Sequence, residues 1–359
     1  MKKASKISAA IAATALLLTA CGAAPESGDK GKSSSEGGDK VKACMISDSG
    51  GFDDKSFNQS GHEGLMKAKD ELGVEVSAIE SHSEADFEPN IDAAVSDKCS
   101  IIIGVGFLMV DQLEAKAKAN PDIKFAIVDS QFKDAPENAR ALVFNTAEAA
   151  YLAGYAAAGM TQTGKVATFL GMKIPTTAIF ADGFADGIKH YNEENGSAVQ
   201  LLGWDKEKQN GAATGNFEDV PKGKETAKQF LDQGADIIMP VAGPVGSGAL
   251  AAVKDASDKN ASIVWVDADG YRTQPESKDI ILTSVVKEIG NSVFDTIKSV
   301  KEGKFDSKPY IGDLKNGGVS MAPFHDFDSK VPAELKEKLK KLQEQITSGE
   351  IKVETQNQP

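Results

Sequence analysis

Short apolar runs rich in β-branched residues alternate with helical patterns through most of this 359-residue chain. The first series of runs comprises residues 41–47, 74–80, 100–106, 123–129 and 141–145, and a second series comprises residues 166–171, 199–204, 235–243 and 262–269. Strands that alternate with helices in this way form mainly parallel sheets covered by helices on both faces. Two consecutive series of similar length therefore predict an α/β protein with two similar lobes.

The domain boundaries follow from this alternation. We assign residues 41–146 to the first lobe and residues 147–278 to the second. The remaining strand at 279–286 and the helices that follow it are too few for a third domain. We therefore expect about 279–315 to complete the first lobe and about 316–359 to complete the second, so that the chain crosses between the lobes and forms a hinge.

The first 21 residues have the organisation of a secretory signal peptide that ends in a lipobox. Lysines precede a short apolar run, and the segment L-T-A-C ends at Cys21. That run is too short for a permanent membrane span, so we expect cleavage before Cys21 and lipid attachment to its thiol. Residues 22–40 are polar and small, which predicts a flexible linker. An uncleaved anchor helix is the alternative to a lipid anchor at the extracytoplasmic face of the cell membrane.

Charge and cysteine content exclude several classes of function. The formal net charge of −13 argues against nucleic-acid binding and against electrostatic attachment to anionic lipid. Cys44 and Cys99 lack the spacing of a redox or zinc site and are most simply buried small hydrophobic residues, although pairing between them stays open. No metal, dinucleotide or P-loop motif is complete in the sequence, so we predict no metal, no cofactor and no enzymatic activity.

Residues that follow the predicted strands are candidates for a ligand site, because ligands bind beyond the carboxyl ends of parallel strands. Gly50 and Gly51 follow the first strand and allow close approach of the backbone, which leaves Phe52 projecting from the loop. Phe217 lies in a polar loop of the second lobe. The two rings can enclose a planar ligand from opposite sides. A Phe52 ring packed beneath its own loop is the alternative.

Charged residues end three other apolar strands. Asp129 and Asp267 need partners there, and a carboxylate can accept hydrogen bonds from two neighbouring hydroxyl groups. Helix capping is the alternative role for each of them. Lys287 follows the run D-I-I-L-T-S-V-V and can reach the cleft from the hinge side, or it can be a solvated surface lysine.

Six segments occur in a characteristic order along the chain. They are D-S-G-G-F-D-D-K-S-F-N-Q-S-G-H-E-G, K-F-A-I-V-D, A-A-Y-L-A-G-Y, G-F-A-D-G-I-K, K-G-K-E-T-A-K-Q-F-L-D-Q-G-A-D-I-I-M-P-V-A-G and V-D-A-D-G. Together they resemble the basic membrane protein family of bacterial lipoproteins. That family is similar to type I periplasmic binding proteins and includes purine nucleoside receptors that deliver ligand to an ABC permease. The resemblance implies a hinged, monomeric, two-lobed receptor.

The resemblance also implies roles for individual residues. The candidate ligand-binding residues are Phe52, Asp53, Asn58, Phe107, Asp129, Phe217, Gly243, Asp267, Asp269 and Lys287. Phe52 and Phe217 would stack on the base, and Asp129 with Asp53 and Asn58 would bind its polar edge. Asp267 and Lys287 would hold the ribose, with the Gly243 backbone close to the sugar. The choice between Asp267 and Asp269 stays open.

We therefore expect a lipid-anchored nucleoside receptor that prefers purines, because two aromatic rings favour the larger π surface. Three alternatives remain at the level of sequence. A receptor for a sugar or another small polar solute would use Trp204 or Trp265 for stacking. A surface enzyme such as a nucleoside hydrolase would need a general base or an acidic metal site. An adhesin is also compatible with the anchor.

Overall fold

Two six-stranded sheets form the framework of residues 41–359, the part of the chain that this computed structural model describes. The strands, in chain order, are β1 (Lys42–Ile46), β2 (Glu75–Ile79), β3 (Ile101–Val105), β4 (Lys124–Val128), β5 (Ala139–Phe144), β6 (Lys165–Leu170), β7 (Gln200–Leu202), β8 (Trp204–Asp205), β9 (Asn210–Gly211), β10 (Ile237–Val241), β11 (Ser262–Asp267), β12 (Ile281–Lys287), β13 (Tyr310–Gly312) and β14 (Val319–Met321). The predicted signal peptide, Cys21 and the predicted linker lie outside the described residues.

The two sheets share one pattern of strand order. The first sheet has the order β13-β5-β4-β3-β1-β2 and is parallel throughout. The second has the order β14-β12-β11-β10-β6-β7 and is parallel except for β14, which runs antiparallel to β12. Strands β8 and β9 form a separate antiparallel pair. The predicted fold class, two mainly parallel lobes, is confirmed.

Helices cover both sheets. They are α1 (Phe57–Leu72), α2 (Phe87–Ser96), α3 (Val110–Ala119), α4 (Thr146–Met160), α5 (Pro175–Asn195), α6 (Val220–Asp232), α7 (Gly246–Asp255), α8 (Gly270–Thr273), α9 (Ile289–Lys301) and α10 (Ala333–Thr347). Among residues 41–359, no helix combines the length and the hydropathy that a bilayer span requires. Strands buried between helical layers explain the nearly continuous apolar runs in the sequence.

The start of α1 depends on the carboxylate of Asp54. Its oxygens accept hydrogen bonds from the backbone N–H groups of Ser56 (3.0 Å), Asn58 (2.8 Å) and Gln59 (3.0 Å), which have no partner within the helix. The helix ends at Gly73, whose φ of 65° is the left-handed conformation that glycine adopts readily. The loop between β1 and α1 is therefore fixed at its helical end by a buried acid.

The chain passes between the lobes three times, after β5, after β12 and after β13. Helix α9 packs on α1 of the first lobe, and α10 packs on α4 of the second. We expected residues 279–315 to complete the first lobe, and the structure corrects this for β12, which lies in the second sheet. A short connection links β11 to β12, and a parallel crossover of this kind keeps consecutive strands in one sheet.

A disulfide joins Cys44 of β1 to Cys99, which lies just before β3. We expected both residues to be buried small hydrophobes, and both are buried, but they are also bonded to each other. Strands β1 and β3 are parallel neighbours in which Ala43 pairs with Ile101. This register places the two Cα atoms 5.9 Å apart, within the usual range for a disulfide.

Helices α4 and α5 pack at unusually close range. A Cβ atom added at Gly183 would overlap the carbonyl oxygen of Ala147, and one added at Gly187 would overlap that of Tyr151. Glycine is therefore required wherever the two backbones meet. With α5 held against α4 in this way, the first turn of α5 lies at the cleft between the lobes.

Candidate ligand-binding site

A cavity lies between the lobes, at the carboxyl ends of strands from both sheets. It encloses about 530 Å³ of space when the open solvent at its mouth is included. The structure brings together these predicted residues in its wall: Asn58, Phe107, Asp129, Phe217, Gly243, Asp267 and Lys287. Both lobes contribute, so a ligand here contacts both.

Lys287 forms a buried charged group with the two acids that end β4 and β11. Its ammonium group pairs with Asp129 and lies 3.4 Å from Oδ1 of Asp267. The Lys287 side chain is only 3% exposed. Asp129 and Asp267 both have a left-handed backbone, with φ of 60° and 67°. Aspartate tolerates this conformation better than most residues, so the same unusual turn places both carboxylates beside one lysine.

The electrostatics of this group favour a charged lysine. Burial alone lowers the pKa of Lys287, but the carboxylates of Asp129 and Asp267 outweigh burial and hold that pKa above its usual value. Two carboxylates offer more acceptor lone pairs than one ammonium has N–H donors, so some of these lone pairs can accept other hydrogen bonds. The hydroxyl of Ser56 uses part of that capacity by donating to Oδ2 of Asp267 at 3.1 Å and to the carbonyl of Val266 at 3.1 Å.

Four phenylalanine rings line the cavity. Phe57 and Phe180 flank the Lys287 ammonium, with ring centroids 5.3 and 4.9 Å from Nζ, a geometry that stabilises the cation. Phe107 follows β3, and Phe217 belongs to the second lobe. The Phe217 ring packs so closely on Gly171 that a Cβ atom there would overlap it.

A second polar group lies at the start of the first lobe. The amide nitrogen of Asn58 donates to Oδ1 of Asp48 at 2.7 Å and to Oδ2 of Asp54 at 3.2 Å. Within residues 41–359, the Asn58 side-chain oxygen is buried and accepts no hydrogen bond. Burial raises the pKa of Asp48 to about 6, against the lowering effect of its bonds from Asn58 and from the Gly50 backbone. Among the described residues, this group of the cavity wall thus keeps one acceptor, the Asn58 oxygen, without a partner.

The structure corrects the assignments of Phe52 and Asp53. The Phe52 ring stacks on His62 with centroids 4.8 Å apart and is not part of the cavity wall. Its loop turns inward at Asp54 to start α1, and Phe52 packs against that helix. This position agrees with the alternative that we considered, in which the Phe52 ring packs beneath its own loop. Asp53 is exposed and pairs with Lys55.

The two acids of the V-D-A-D segment have different positions in the structure. Asp267 lines the cavity, whereas Asp269 starts α8 by accepting a hydrogen bond from the Tyr271 backbone at 3.2 Å. Asp269 also contacts Nε2 of His325 at 2.9 Å. Asp269 therefore has the capping role that we considered for Asp267.

Sequence reasoning missed several residues of the wall. Asp48 lies two residues beyond β1, so the position of strand ends was a sufficient signal for it. Phe57 is the first residue of α1 and Phe180 lies in the second turn of α5, so neither follows a strand and neither was a candidate from the sequence. Trp204 and Trp265 are buried outside the wall, which removes the aromatic ring expected for a sugar site of that design.

Comparison with known proteins places this site in a family. The family described as "ABC transporter substrate-binding protein PnrA-like", whose model is named Bmp, matches residues 40–357. The chain belongs to this family. Its PnrA-like relatives include the "ABC transporter nucleoside-binding protein BmpA" of Lactococcus lactis subsp. cremoris, 32% identical over 98% of this chain and 99% of the relative. An uncharacterised lipoprotein of Pyrococcus abyssi is 32% identical over 78% of this chain and 68% of that protein.

A solved structure supports the same conclusion. The ABC transporter solute-binding protein of Aeropyrum pernix K1 superimposes with a TM-score of 0.78 at 28% identity, over 87% of this chain and 92% of that protein. The predicted resemblance to the basic membrane protein family is therefore confirmed. This PnrA-like protein is a substrate-binding protein of an ABC transporter, a class that binds a ligand and works with a permease.

Proposed function

We propose that this protein is a lipid-anchored extracytoplasmic receptor that binds nucleosides, with a preference for purines, and delivers them to its ABC permease. The observation that carries the proposal is the buried group of Lys287, Asp129 and Asp267, which shares one cavity with aromatic rings and an open amide acceptor. The group suits a sugar with adjacent hydroxyls, and the rings suit a flat base. The name of the Lactococcus relative agrees with this ligand class.

The ribose would occupy the charged end of the cavity. Asp129 and Asp267 accept hydrogen bonds from the 2′ and 3′ hydroxyl groups, and Lys287 donates to a hydroxyl oxygen between them. Charge-assisted hydrogen bonds of this kind are among the stronger ones in proteins. No proton needs to leave the ligand in this arrangement, so binding occurs without covalent chemistry.

The base would lie between Phe107 of the first lobe and Phe217 of the second. This pair replaces the predicted pair of Phe52 and Phe217, because Phe52 is outside the wall. Stacking contributes on the order of 1 kcal/mol per ring beyond area burial, and a purine offers more surface than a pyrimidine. The Asn58 oxygen and the Asp48 carboxylate accept hydrogen bonds from N–H groups of the base.

Lobe closure would couple binding to transport. Ser56 of the first lobe bonds Asp267 of the second, and the Trp265 indole donates to the carbonyl of Lys55 at 3.4 Å. A ligand held by both lobes binds the closed form more tightly than the open form and shifts the population toward it. The permease then has a distinct form of the receptor to recognise.

The proposed anchor rests on the lipobox ending at Cys21 and on the description of the Pyrococcus relative as a lipoprotein. Globomycin, which blocks the signal peptidase of lipoproteins, would leave the precursor uncleaved. A Cys21→Ala variant would be released from the membrane fraction or retained as precursor.

Calorimetric titration with adenosine, guanosine, inosine, cytidine and ribose tests the ligand class. We expect purine nucleosides to bind, ribose alone to bind at least 100-fold more weakly, and chromatography to detect no free base. Phe217→Ala should weaken nucleoside binding by about tenfold, since it removes one stacking partner. Phe52→Ala is the matched control and should stay within about threefold of wild type. Release of free base would instead identify a hydrolase, and silence with every nucleoside would refute the proposal.

A further inference from the structure

A second cavity adjoins the ligand-binding cavity on its Asp129 side. The two cavities share Phe107, Asp129, Ile174 and Thr176 in their walls. We call this second cavity the side chamber, which is further bounded by Ser130, Gln131, Val143, Phe144, Ile179 and the chain segment 357–359. It encloses about 830 Å³ with open solvent included. A ligand group that leaves the main cavity past Asp129 therefore enters defined space.

The segment that closes the side chamber is fixed in place by a buried acid. Asp182 of α5 is fully buried and accepts a hydrogen bond from the Asn357 side chain at 2.8 Å. The same Asn357 amide donates to the Gln209 side chain at 2.7 Å, and Gln358 donates to the carbonyl of Val353 at 3.0 Å. These hydrogen bonds fix residues 357–359 in place as part of the wall of the side chamber.

The walls of the side chamber are apolar or neutral. Val143, Phe144 and Ile179 supply apolar surface, and Gln131 and Ser130 supply uncharged polar groups. Among the side chains of the described residues that line it, Asp129 alone is charged, and the Lys287 ammonium already pairs with Asp129. A phosphate here would meet a carboxylate and no free cation, whereas an alkyl group would be removed from water.

We propose that the side chamber receives an uncharged, apolar substituent carried on the ribose of the bound nucleoside. The inference rests on the proposed nucleoside function and extends it to 5′-alkylthio nucleosides. With the 2′ and 3′ hydroxyls at Asp267 and Asp129, the 5′ carbon is the position of the sugar that remains for a substituent. The side chamber thus makes the receptor tolerant of 5′-modified nucleosides while it rejects nucleotides.

Calorimetry on the mature chain tests this with three probes built on the base that binds best. The probes are the nucleoside, its 5′-deoxy-5′-butylthio derivative and its 5′-monophosphate. Each buried methylene contributes about fourfold in affinity. We expect the butylthio derivative to bind at least tenfold more tightly than the nucleoside, and the monophosphate at least tenfold more weakly.

Two matched variants locate the effect. Gln131 is exposed and lines the side chamber, so Gln131→Trp fills the chamber at little cost to folding. Lys133 is exposed in the same loop and does not line it, so Lys133→Trp is the control. We expect Gln131→Trp to weaken butylthio binding at least tenfold and nucleoside binding less than twofold, and Lys133→Trp to change neither.

The outcomes separate this inference from the proposed function. If the nucleoside binds but its butylthio derivative binds more weakly, the side chamber is not a substituent site and the proposed function stands. Equal loss of both ligands in Gln131→Trp also overturns the inference, because filling the side chamber then acts on the main cavity. Failure of every nucleoside to bind overturns the proposed function and the inference together.

Discussion

Asp48 is the residue whose protonation state should matter most to the ligand. It is half-buried just beyond the end of β1 and bonded to Asn58, and desolvation raises its pKa to about 6. A carboxylate accepts N–H groups, whereas a carboxylic acid has lost part of that capacity. The proposed contact with the base is therefore sensitive to pH in the range where extracellular fluids vary.

We predict that nucleoside affinity falls as pH decreases through about 6, by up to tenfold per pH unit below that value. The sign follows because the ionised form of Asp48 accepts the N–H group of the base. Asp48→Asn should flatten the profile between pH 5 and 8 in calorimetric titrations. Asp53→Asn, which changes an exposed acid outside the wall, should preserve it. An unchanged profile in Asp48→Asn would show that another group titrates.

The raised pKa of Asp48 also makes the free energy of unfolding depend on pH, in the direction opposite to that of ligand affinity. Because the folded protein retains a proton on Asp48 that the unfolded chain releases above 3.8, this residue lowers the free energy of unfolding as pH rises from 3.8 to about 6. Ligand binding and stability of the unliganded protein thus favour different ends of this range. Asp48, which is placed to bind the ligand, therefore destabilises the unliganded fold as pH rises through this range.

Sequence reasoning pointed to three charged strand-end residues that the structure places in the cavity wall, but not to the helical phenylalanines Phe57 and Phe180. Asp129, Asp267 and Lys287 were found because parallel strands deliver their carboxyl ends to one edge. Phe52 and Phe57 lie five residues apart on the same loop and helix, and only the inward turn at Asp54 decides which ring reaches the cavity. That turn also depends on tertiary contacts, since Ser56 within it bonds Asp267 of the second lobe.

At the scale of elements, the contact between α4 and α5 positions much of the second lobe's share of the site. Glycines at 183 and 187 allow the two backbones to touch, and α5 carries Thr177 and Phe180 into the cavity wall. The alanine- and glycine-rich composition of α4 is typical of a helix that packs closely against a neighbour. The sequence did not show which neighbour, because small residues specify distance and not a partner.

We predict that Gly187→Ala lowers the free energy of unfolding by at least about 1–3 kcal/mol, because the new Cβ would overlap the Tyr151 carbonyl oxygen. Urea denaturation measures the change. Gly159→Ala is the matched control on α4, where the new Cβ would meet the ends of the flexible Leu335 side chain, and its cost should be smaller. A gain in stability of Gly187→Ala, as helix propensity alone predicts, would contradict the close packing.

The positions of most strands along the chain and their lobes were predictable from the sequence, and β12 shows the limit. Its apolar run identified a strand, but assignment to a lobe required knowledge of which sheet edge was free. The short connection from β11 was the available signal, and it favoured the second sheet. Strand β13 has only three residues and little pattern, so its pairing with β5 was beyond sequence reasoning.

For the whole molecule, the disulfide between Cys44 and Cys99 closes a loop with a sequence separation of 55 residues. We predict that the double substitution Cys44→Ser and Cys99→Ser lowers the free energy of unfolding by about 4 kcal/mol in the chain-entropy account. Chemical denaturation with and without reductant measures this. Reductant should destabilise the wild type and leave the double variant unchanged; equal stability of all four samples would refute a structural role.

The three passages between the lobes also have a consequence for biosynthesis. The edge of the first sheet beyond β5 is completed by β13, which comes late in the chain. Until residues 310–312 pair with β5, the first sheet has an unpaired parallel edge, and such edges recruit other chains. A product truncated before Tyr310 would keep this edge, so we expect it to aggregate or be degraded instead of surviving as a half receptor.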